Sequence, residues 1–264
     1  MNKNIGFIGV GNMGSAILCG AVEKSGFSEK NIFAHSLSFS DKAKKLNINV
    51  TTLQNLVNNS DYIILCIKPS GFDSLLNEIK SIDGYETKVY ISIAAGITID
   101  RIKNVLGPVK IIRTMPNLAL SVGAGMTVIA PGDKICTEEL AFAERIFSGA
   151  GKTLVVEEKL IDSCTAISGS GPAYVFMFIE ALADAAVRGG LSRKDAYVLA
   201  SQTLMGSALL QIETGTHPGE LKDMVCSPGG TTIEAVASLE KDGFRSAVMN
   251  AVDVCAKKAS DILK

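Results

Sequence analysis

Hydrophobic residues in the first 160 positions come in short β-rich runs separated by stretches with helical spacing. The runs predict strands at Asn4–Gly9, Asn31–Ala34, Tyr62–Ile67, Lys88–Ile93, Lys110–Thr114, Gly125–Ala130 and Lys152–Val156. Helical candidates such as Phe72–Ile82 and Glu138–Ser148 lie between them. Such alternation predicts a mainly parallel sheet with both faces covered, and ligands on such sheets bind beyond the carboxyl ends of the strands. Past Lys159 the β signal stops. Ala173–Val187 is almost wholly apolar, with Glu180 and Asp184, then Arg188, on one stripe. Ala196–Ile212 carries no charged residue. A helix apolar all round must be buried, and a domain of about a hundred residues has little interior for two of them, so a second subunit is the economical cover.

Chemistry enters at the first strand. Ile5-Gly6-Phe7-Ile8 runs into Gly9-Val10-Gly11-Asn12-Met13-Gly14 and then into the helix-like Ser15–Val22. Strand, G-x-G-x-x-G and helix in that order form the dinucleotide-binding fingerprint: the first glycine makes the turn, the second admits the pyrophosphate, and the third lets helix pack on strand. A signal peptide is the competing reading, and the interrupting glycines count against it. The expected class is therefore α/β: an N-terminal Rossmann-type doubly wound sheet (1–160) followed by an all-α dimerisation domain (161–264). The strand ends at Ile67-Lys68-Pro69 and Ala94-Ala95-Gly96 fall on the same edge as the glycine loop.

Composition narrows the picture. The 264 residues, 47% hydrophobic and 20% charged, suffice for a sizeable core in two domains. A formal charge of −1 offers no electrostatic footprint for nucleic acid or an anionic membrane. No unbroken run of about 18 apolar residues appears, so no transmembrane helix is expected. Six scattered cysteines without a C-x-x-C read as reduced thiols of a cytoplasmic protein, and no metal site is expected. With two histidines, His35 and His217, neither a Ser-His-Asp triad nor a histidine-rich zinc site is available.

Cofactor choice is read at the end of the second strand, where NAD-specific proteins place an acid for the ribose 2′-hydroxyl. Here the stretch is Phe33-Ala34-His35-Ser36-Leu37-Ser38, with no acid between Glu29 and Asp41 and with Lys42, Lys44 and Lys45 nearby. His35 and Ser36 become candidate contacts, and NADPH is favoured over NADH. The lysines also read as a solvated helix face.

Leu221–Glu240 holds the second informative loop. One helix ends, the chain breaks at Ser227-Pro228-Gly229-Gly230, and another helix starts at Thr231-Thr232. Free N–H groups and the positive dipole end at such a start attract a carboxylate. An ordinary helix joint with threonine as cap fits the same residues. A tight turn at Ser168-Gly169-Ser170-Gly171-Pro172, opening another helix, is expected to form a further pocket wall.

Taken together, these segments resemble pyrroline-5-carboxylate reductase, which reduces a cyclic imine to proline. The likeness runs over essentially the whole chain: GFIGVGNMG, Cys66–Pro69, Ser92–Gly96, Arg113-Thr114-Met115-Pro116-Asn117, Ser168–Tyr174 and His217–Thr232 follow the family's order. It implies a Rossmann domain, a helical dimerisation domain and NAD(P)H. It further implies cofactor contacts at Gly9, Val10, Gly11, Asn12, Met13, Gly14, Ile67, Lys68, Pro69, Ala94 and Ala95. Substrate contacts are implied at Ser168, Gly169, Ser170, Gly171, Met224, Ser227, Gly229, Gly230 and Thr231, with the polar catalytic contact at Thr232. The proton for nitrogen comes from Thr232 or from water. An asparagine that touches the adenosine in the family falls at Leu53, with Asn55 nearby.

A β-hydroxyacid dehydrogenase shares the plan but carries a lysine where this chain has Val175. A non-catalytic NADPH-binding sensor and a purely structural helical protein remain as readings of other classes. A homodimer is expected, with larger assembly left open.

Overall fold

A computed structural model of the chain describes residues 3–262, with side chains described as far as Ala259. Eight strands form one sheet: β1 (Ile5–Val10), β2 (Ile32–Phe39), β3 (Asn49–Val50), β4 (Tyr62–Leu65), β5 (Val89–Ser92), β6 (Lys110–Pro116), β7 (Gly125–Pro131) and β8 (Gly151–Val155). Their order is β3-β2-β1-β4-β5-β6-β7-β8, and every pair is parallel except β6 with β7.

Alternation along the strands builds two cores. Ile5 and Phe7 of β1, Ile64 of β4 and Ile91 of β5 face one side, where they meet Ile17 and Leu18 of α1 (Asn12–Glu23). Ile8, Ile63, Leu65 and Tyr90 face the other, against α2 (Leu53–Asn59), α3 (Phe72–Lys80) and α4 (Ile99–Leu106). Helix α5 (Thr137–Ser148) adds Ile146 and Phe147 to the first core. Each fully buried aliphatic or aromatic side chain stabilises by about 1.5–3 kcal/mol, and near-continuous apolar strands are what a sheet covered on both faces requires.

Each expected strand forms, with shifted ends. The two-residue β3 went unpredicted, since Asn49 and Val50 are exposed and leave no apolar alternation. Strand β2 runs five residues past its expected end at Ala34, because the ladder is irregular there: Ile8 pairs with His35, yet Val10 pairs with Phe39. Two steps along β1 thus face four along β2, a bulge that locally twists and re-aims the strand.

The chain divides into two compact units, one running to Ser170 and including the stretch from Cys255 onward, the other Gly171–Val254. The first unit also contains the short α6 (Ile161–Cys164) and a π-helical turn at Thr165–Gly169, closed by the Ser170 N–H donating to the Thr165 carbonyl at 2.9 Å. The second is helical: α7 (Gly171–Arg188), α8 (Arg193–Thr214), α9 (Pro218–Val225), α10 (Thr231–Lys241) and the start of α11 (Phe244–Ile262). Ala183 is the buried residue of α7, and Ala196 and Ala200 are those of α8. Val198, Leu199, Met205, Leu209, Leu210 and Ile212 stand exposed on α8.

The expectation of no membrane-spanning helix meets one feature: Glu158–Arg188, 31 residues with mean hydropathy of 1.3 in its most apolar window, is long and apolar enough to cross a membrane by length and composition alone. Ser168, Gly169, Ser170 and Glu180 interrupt the apolar run without lowering the mean below that level, so a search for unbroken runs passes over it.

Candidate functional site

The glycine loop sits at the carboxyl end of β1, and its three glycines do different work. Gly9 has φ of +87°, and a Cβ there would lie 2.7 Å from the Cys66 carbonyl oxygen. A Cβ on Gly14 would lie 2.5 Å from the Gly9 carbonyl, so the helix can approach the strand only without one. Gly11 is unlike both: a Cβ there meets nothing within 4 Å. No internal contact demands its smallness, which leaves the space itself as the reason. Gly11 caps α1 without a side-chain hydrogen bond, and no acid occupies the first turn. Free N–H groups at a helix start, beside open space and without a repelling carboxylate, fit a dinucleotide's pyrophosphate. The Ser15 hydroxyl, buried, donates to the Val10 carbonyl at 2.9 Å and fixes the loop from below.

The other expected cofactor segments lie on the same edge. Cys66 follows β4 and packs beneath the loop, where burial pushes its thiol well above the ordinary range. Ile67 comes within 3.1 Å of the Cβ position of Gly9; Lys68 and Pro69 are exposed and open a short 3₁₀ turn. Beyond β5, Ala94 is buried and its N–H donates to the Ser92 hydroxyl at 3.3 Å, while Ala95 is exposed. Asn12 is exposed, and Met13 is partly buried against the core.

The stretch after β2 is organised by Ser36. Its hydroxyl accepts from the Val10 N–H at 2.8 Å and donates to the Ser38 carbonyl at 2.6 Å, so it holds the bulge together. His35 Nδ1 donates to the Thr51 carbonyl at 3.0 Å. Leu37 is fully exposed and Ser38 exposed. Lys44 pairs with Asp41 at 3.0 Å. Leu53 is 4% exposed and belongs to the core, whereas Asn55 is exposed in the first turn of α2. A cavity of about 510 Å³ follows α1 between Ser40–Lys42 and Leu118–Gly123 and meets the glycine loop at Asn12 alone. It lies along the helix flank and away from the Cys66–Pro69 and Ala94–Ala95 segments.

Ser168 and Gly169 fall inside the π-helical turn, with Ser170 closing it and Gly171 opening α7. The Ser168 hydroxyl donates to the Cys164 carbonyl at 3.0 Å, and its own carbonyl accepts from Asn117 Nδ2 at 3.0 Å. Below the turn lies a buried guanidinium: Arg113 of β6 pairs with Glu158 at 3.3 Å and Asp162 at 3.2 Å, its side chain 5% exposed. The Arg113–Asn117 motif carries side chains to which the sequence alone assigns no role; a strand ending in Arg and Asn is the available signal.

The remaining expected residues lie in the second unit. Met224, one residue before the end of α9, is 75% exposed, and Ser227, Gly229 and Gly230 form the joint to α10. Gly229 has φ of +69°. A Cβ on Gly230 would lie 2.3 Å from the Ser227 hydroxyl. Gly230, and not a threonine, caps α10, and it provides no side-chain hydrogen bond. The threonine-capped joint is thereby set aside: Thr231 and Thr232 stand at the first two helical positions, Thr232 half-buried. A helix start without a capping side chain leaves its N–H groups available to an anion.

Comparison with known proteins covers the whole chain. The family described as "Pyrroline-5-carboxylate reductase dimerisation" matches residues 158–262, and that described as "NADP oxidoreductase coenzyme F420-dependent" matches residues 4–96. The pyrroline-5-carboxylate reductase of Escherichia coli K12 is 46% identical over 270 residues, covering 100% of both chains. The structure of a pyrroline-5-carboxylate reductase from Coxiella burnetii superposes with a TM-score of 0.94 at 33% identity, with 100% of both chains covered. That of the Plasmodium falciparum pyrroline carboxylate reductase with NADP bound gives 0.87 at 34%, covering 100% of this chain and 99% of that one.

Proposed function

The chain belongs to the pyrroline-5-carboxylate reductase family, and from that premise we propose how its own residues carry the reduction. The reaction takes 1-pyrroline-5-carboxylate to proline with NADP(H) as the redox partner. When bound, the reduced nicotinamide supplies a hydride to the carbon of the C=N bond; the nitrogen must gain a proton. Protonation turns the imine into an electrophilic iminium, so the protein's task is to hold, orient and protonate.

Gly9, Val10, Gly11, Asn12, Met13 and Gly14 receive the pyrophosphate at the start of α1. Ile67, Lys68, Pro69, Ala94 and Ala95 line the nicotinamide half. The bulge at His35–Phe39, with Ser36 as its internal tie, shapes the 2′-phosphate pocket, and the absence of an acid there supports NADPH over NADH. Residues 1–160 are thus the cofactor domain, and 161–264 the substrate and dimerisation domain.

The observation that carries the substrate reading is the start of α10. Gly229 and Gly230 let the backbone turn closely; the Gly230 N–H closes that turn on the Ser227 carbonyl at 3.0 Å, and no capping side chain takes the N–H groups at Thr231 and Thr232. These hold the substrate carboxylate, with Met224 and Ser227 as further contacts, and the Ser168–Gly171 turn is a substrate-contacting segment of its own. Thr232 donates a hydrogen bond from its hydroxyl to the ring nitrogen as hydride arrives.

NADPH consumption by the purified protein with the cyclic imine, set against a panel of 2-keto and 3-hydroxy acids, tests the activity. Turnover of the hydroxy acids alone, or none at all, would overturn it. Val175, where the dehydrogenase family has a lysine, supplies no ammonium for alcohol oxidation, so no turnover of hydroxy acids is expected. Thr232→Ala is expected to lower kcat/KM about 5- to 150-fold, the worth of roughly 1–3 kcal/mol for one hydrogen bond aimed at the transition state, with the loss mainly in kcat. Thr232→Ser should stay near wild type. Full kcat in Thr232→Ala with a raised KM would make the residue a binder only and give the proton to water.

The protein acts as a homodimer in the cytoplasm. The exposed faces of α7 and α8 are covered by a second copy and not by lipid, a reading supported by the dimerisation family's match over this region.

A further inference from the structure

The segment Arg113–Asn117 has no part in the scheme above, yet its side chains reach two of the segments the scheme uses. Thr114 donates from its buried hydroxyl to the Ser92 carbonyl at 3.0 Å, where the loop carrying Ala94 and Ala95 begins. Arg113 pairs with Glu158, and the same Glu158 oxygen accepts the Ile99 N–H at 2.9 Å, just beyond the loop's end. Asn117 holds the other segment. Its amide is used at both ends: Nδ2 donates to the Ser168 carbonyl at 3.0 Å, and Oδ1 accepts the Met126 N–H at 3.1 Å. Ser168 lies inside a π-helical turn, and the residue four positions on, Pro172, has no N–H with which to close an ordinary helical bond to the Ser168 carbonyl. Gly169, next along, is hemmed in: a Cβ there would stand 3.2 Å from Thr165 Cγ2 and 3.3 Å from Met115 Cε.

We propose that Asn117 is a positioning residue for the reduction: by gripping the Ser168 carbonyl it fixes the Thr165–Ser170 turn to the strand end that also anchors the cofactor loop. It touches neither substrate nor reacting atoms, and acts through the turn. This rests on the reading of Ser168–Gly171 as a wall of the imine pocket. A tie that served folding alone would cost stability and leave the kinetic constants of the surviving enzyme unchanged.

Three full-length variants separate these cases: Asn117→Ala, Asn117→Asp and Gly169→Ala. Asn117→Ala loses both bonds. Asn117→Asp keeps an acceptor for Met126 but turns a carboxylate toward the Ser168 carbonyl, so it breaks the grip while retaining the link to β7. Imine KM, kcat, NADPH Kd from nucleotide fluorescence and the thermal midpoint are measured for each. Both Asn117 variants are expected to raise imine KM about tenfold, as for the loss of a hydrogen bond to a buried carbonyl, with NADPH Kd within about twofold of wild type. The Asp variant should melt nearer wild type than the Ala variant. Gly169→Ala, which displaces the turn directly, should raise imine KM as well. Unchanged KM in both Asn117 variants with a raised KM in Gly169→Ala would sink the role of Asn117 while sparing the pocket wall. Unchanged KM in all three would remove the wall, and the proposal with it.

Discussion

At the scale of single residues, Gly11 and Gly14 separate two reasons for a glycine. Gly14 is required by packing, because its added Cβ would press on the Gly9 carbonyl at 2.5 Å. Gly14→Ala should destabilise the fold by about 1–3 kcal/mol, as overpacking does. Gly11→Ala meets no neighbour, and with φ of −70° at a cap position it should cost under about 1 kcal/mol. It should nonetheless weaken NADPH binding by at least about tenfold, since the methyl occupies the phosphate's approach. Denaturant melts and nucleotide titrations of the two variants check this; a Gly11→Ala protein binding NADPH normally would mean the open space is not where the phosphates lie. The motif was legible in the sequence. The different reasons for its glycines were not, because only the surroundings of each Cβ position distinguish them. Leu53 shows the same limit: it stands where the family's adenosine-touching asparagine falls, and it is a core residue, with the polar Asn55 exposed two positions on.

Among elements, α8 states its need most plainly. Its exposed leucines, methionine and isoleucine are each more than half open in the protomer, and apolar surface of that extent marks an interface. Leu209 is 52% exposed, so Leu209→Glu disturbs the protomer's own packing little. If a second copy covers this face, burying an unpaired carboxylate there costs several kcal/mol, and the variant should run as a monomer in light scattering at concentrations where wild type is a dimer. A Leu209→Glu dimer with full activity would put the interface elsewhere. Sequence reading reached α8 through its lack of charge over Ala196–Ile212, a signal strong enough to survive without coordinates. The short β3, whose two exposed residues carry no pattern, is not legible, and Gly230 caps α10 where the rival reading of that joint has a threonine. The tight turn at Ser168–Pro172 is legible, but the π-helical closure before it is not, because it rests on the Ser170 N–H reaching the Thr165 carbonyl, a backbone choice with no side-chain pattern behind it.

Taken as a whole molecule, the chain is unevenly stabilised. The sheet unit holds two cores of fully buried side chains, whereas the buried residues of α7 and α8 are alanines. If a unit so short of internal apolar burial draws its stability from the proposed dimer, mass action makes the melting point depend on concentration. The thermal midpoint of wild type should rise as protein concentration is raised, and that of Leu209→Glu should be lower and flat. A concentration-independent wild-type midpoint would show that the helical unit supports itself. The same reasoning sets the reading of Glu158–Arg188: a stretch with the length and hydropathy of a membrane span need not meet lipid when a second protein surface offers equal relief from water.

The bulge between Ile8 and Val10 has a consequence for how such a protein can change. Residues on a regular ladder are locked to their register, and each side chain there is committed to one face of the sheet. The extra residues between His35 and Phe39 escape that bookkeeping: Leu37 and Ser38 point into solvent, while Ser36 and the Val10 N–H close the gap behind them. Substitutions at 37 and 38 therefore leave the fold's energetics almost untouched, and if the 2′-phosphate sits against this bulge as proposed, they alter what a nucleotide's ribose meets. Preference between the two nicotinamide cofactors is then a trait that can drift, or be selected, without passing through an unstable intermediate.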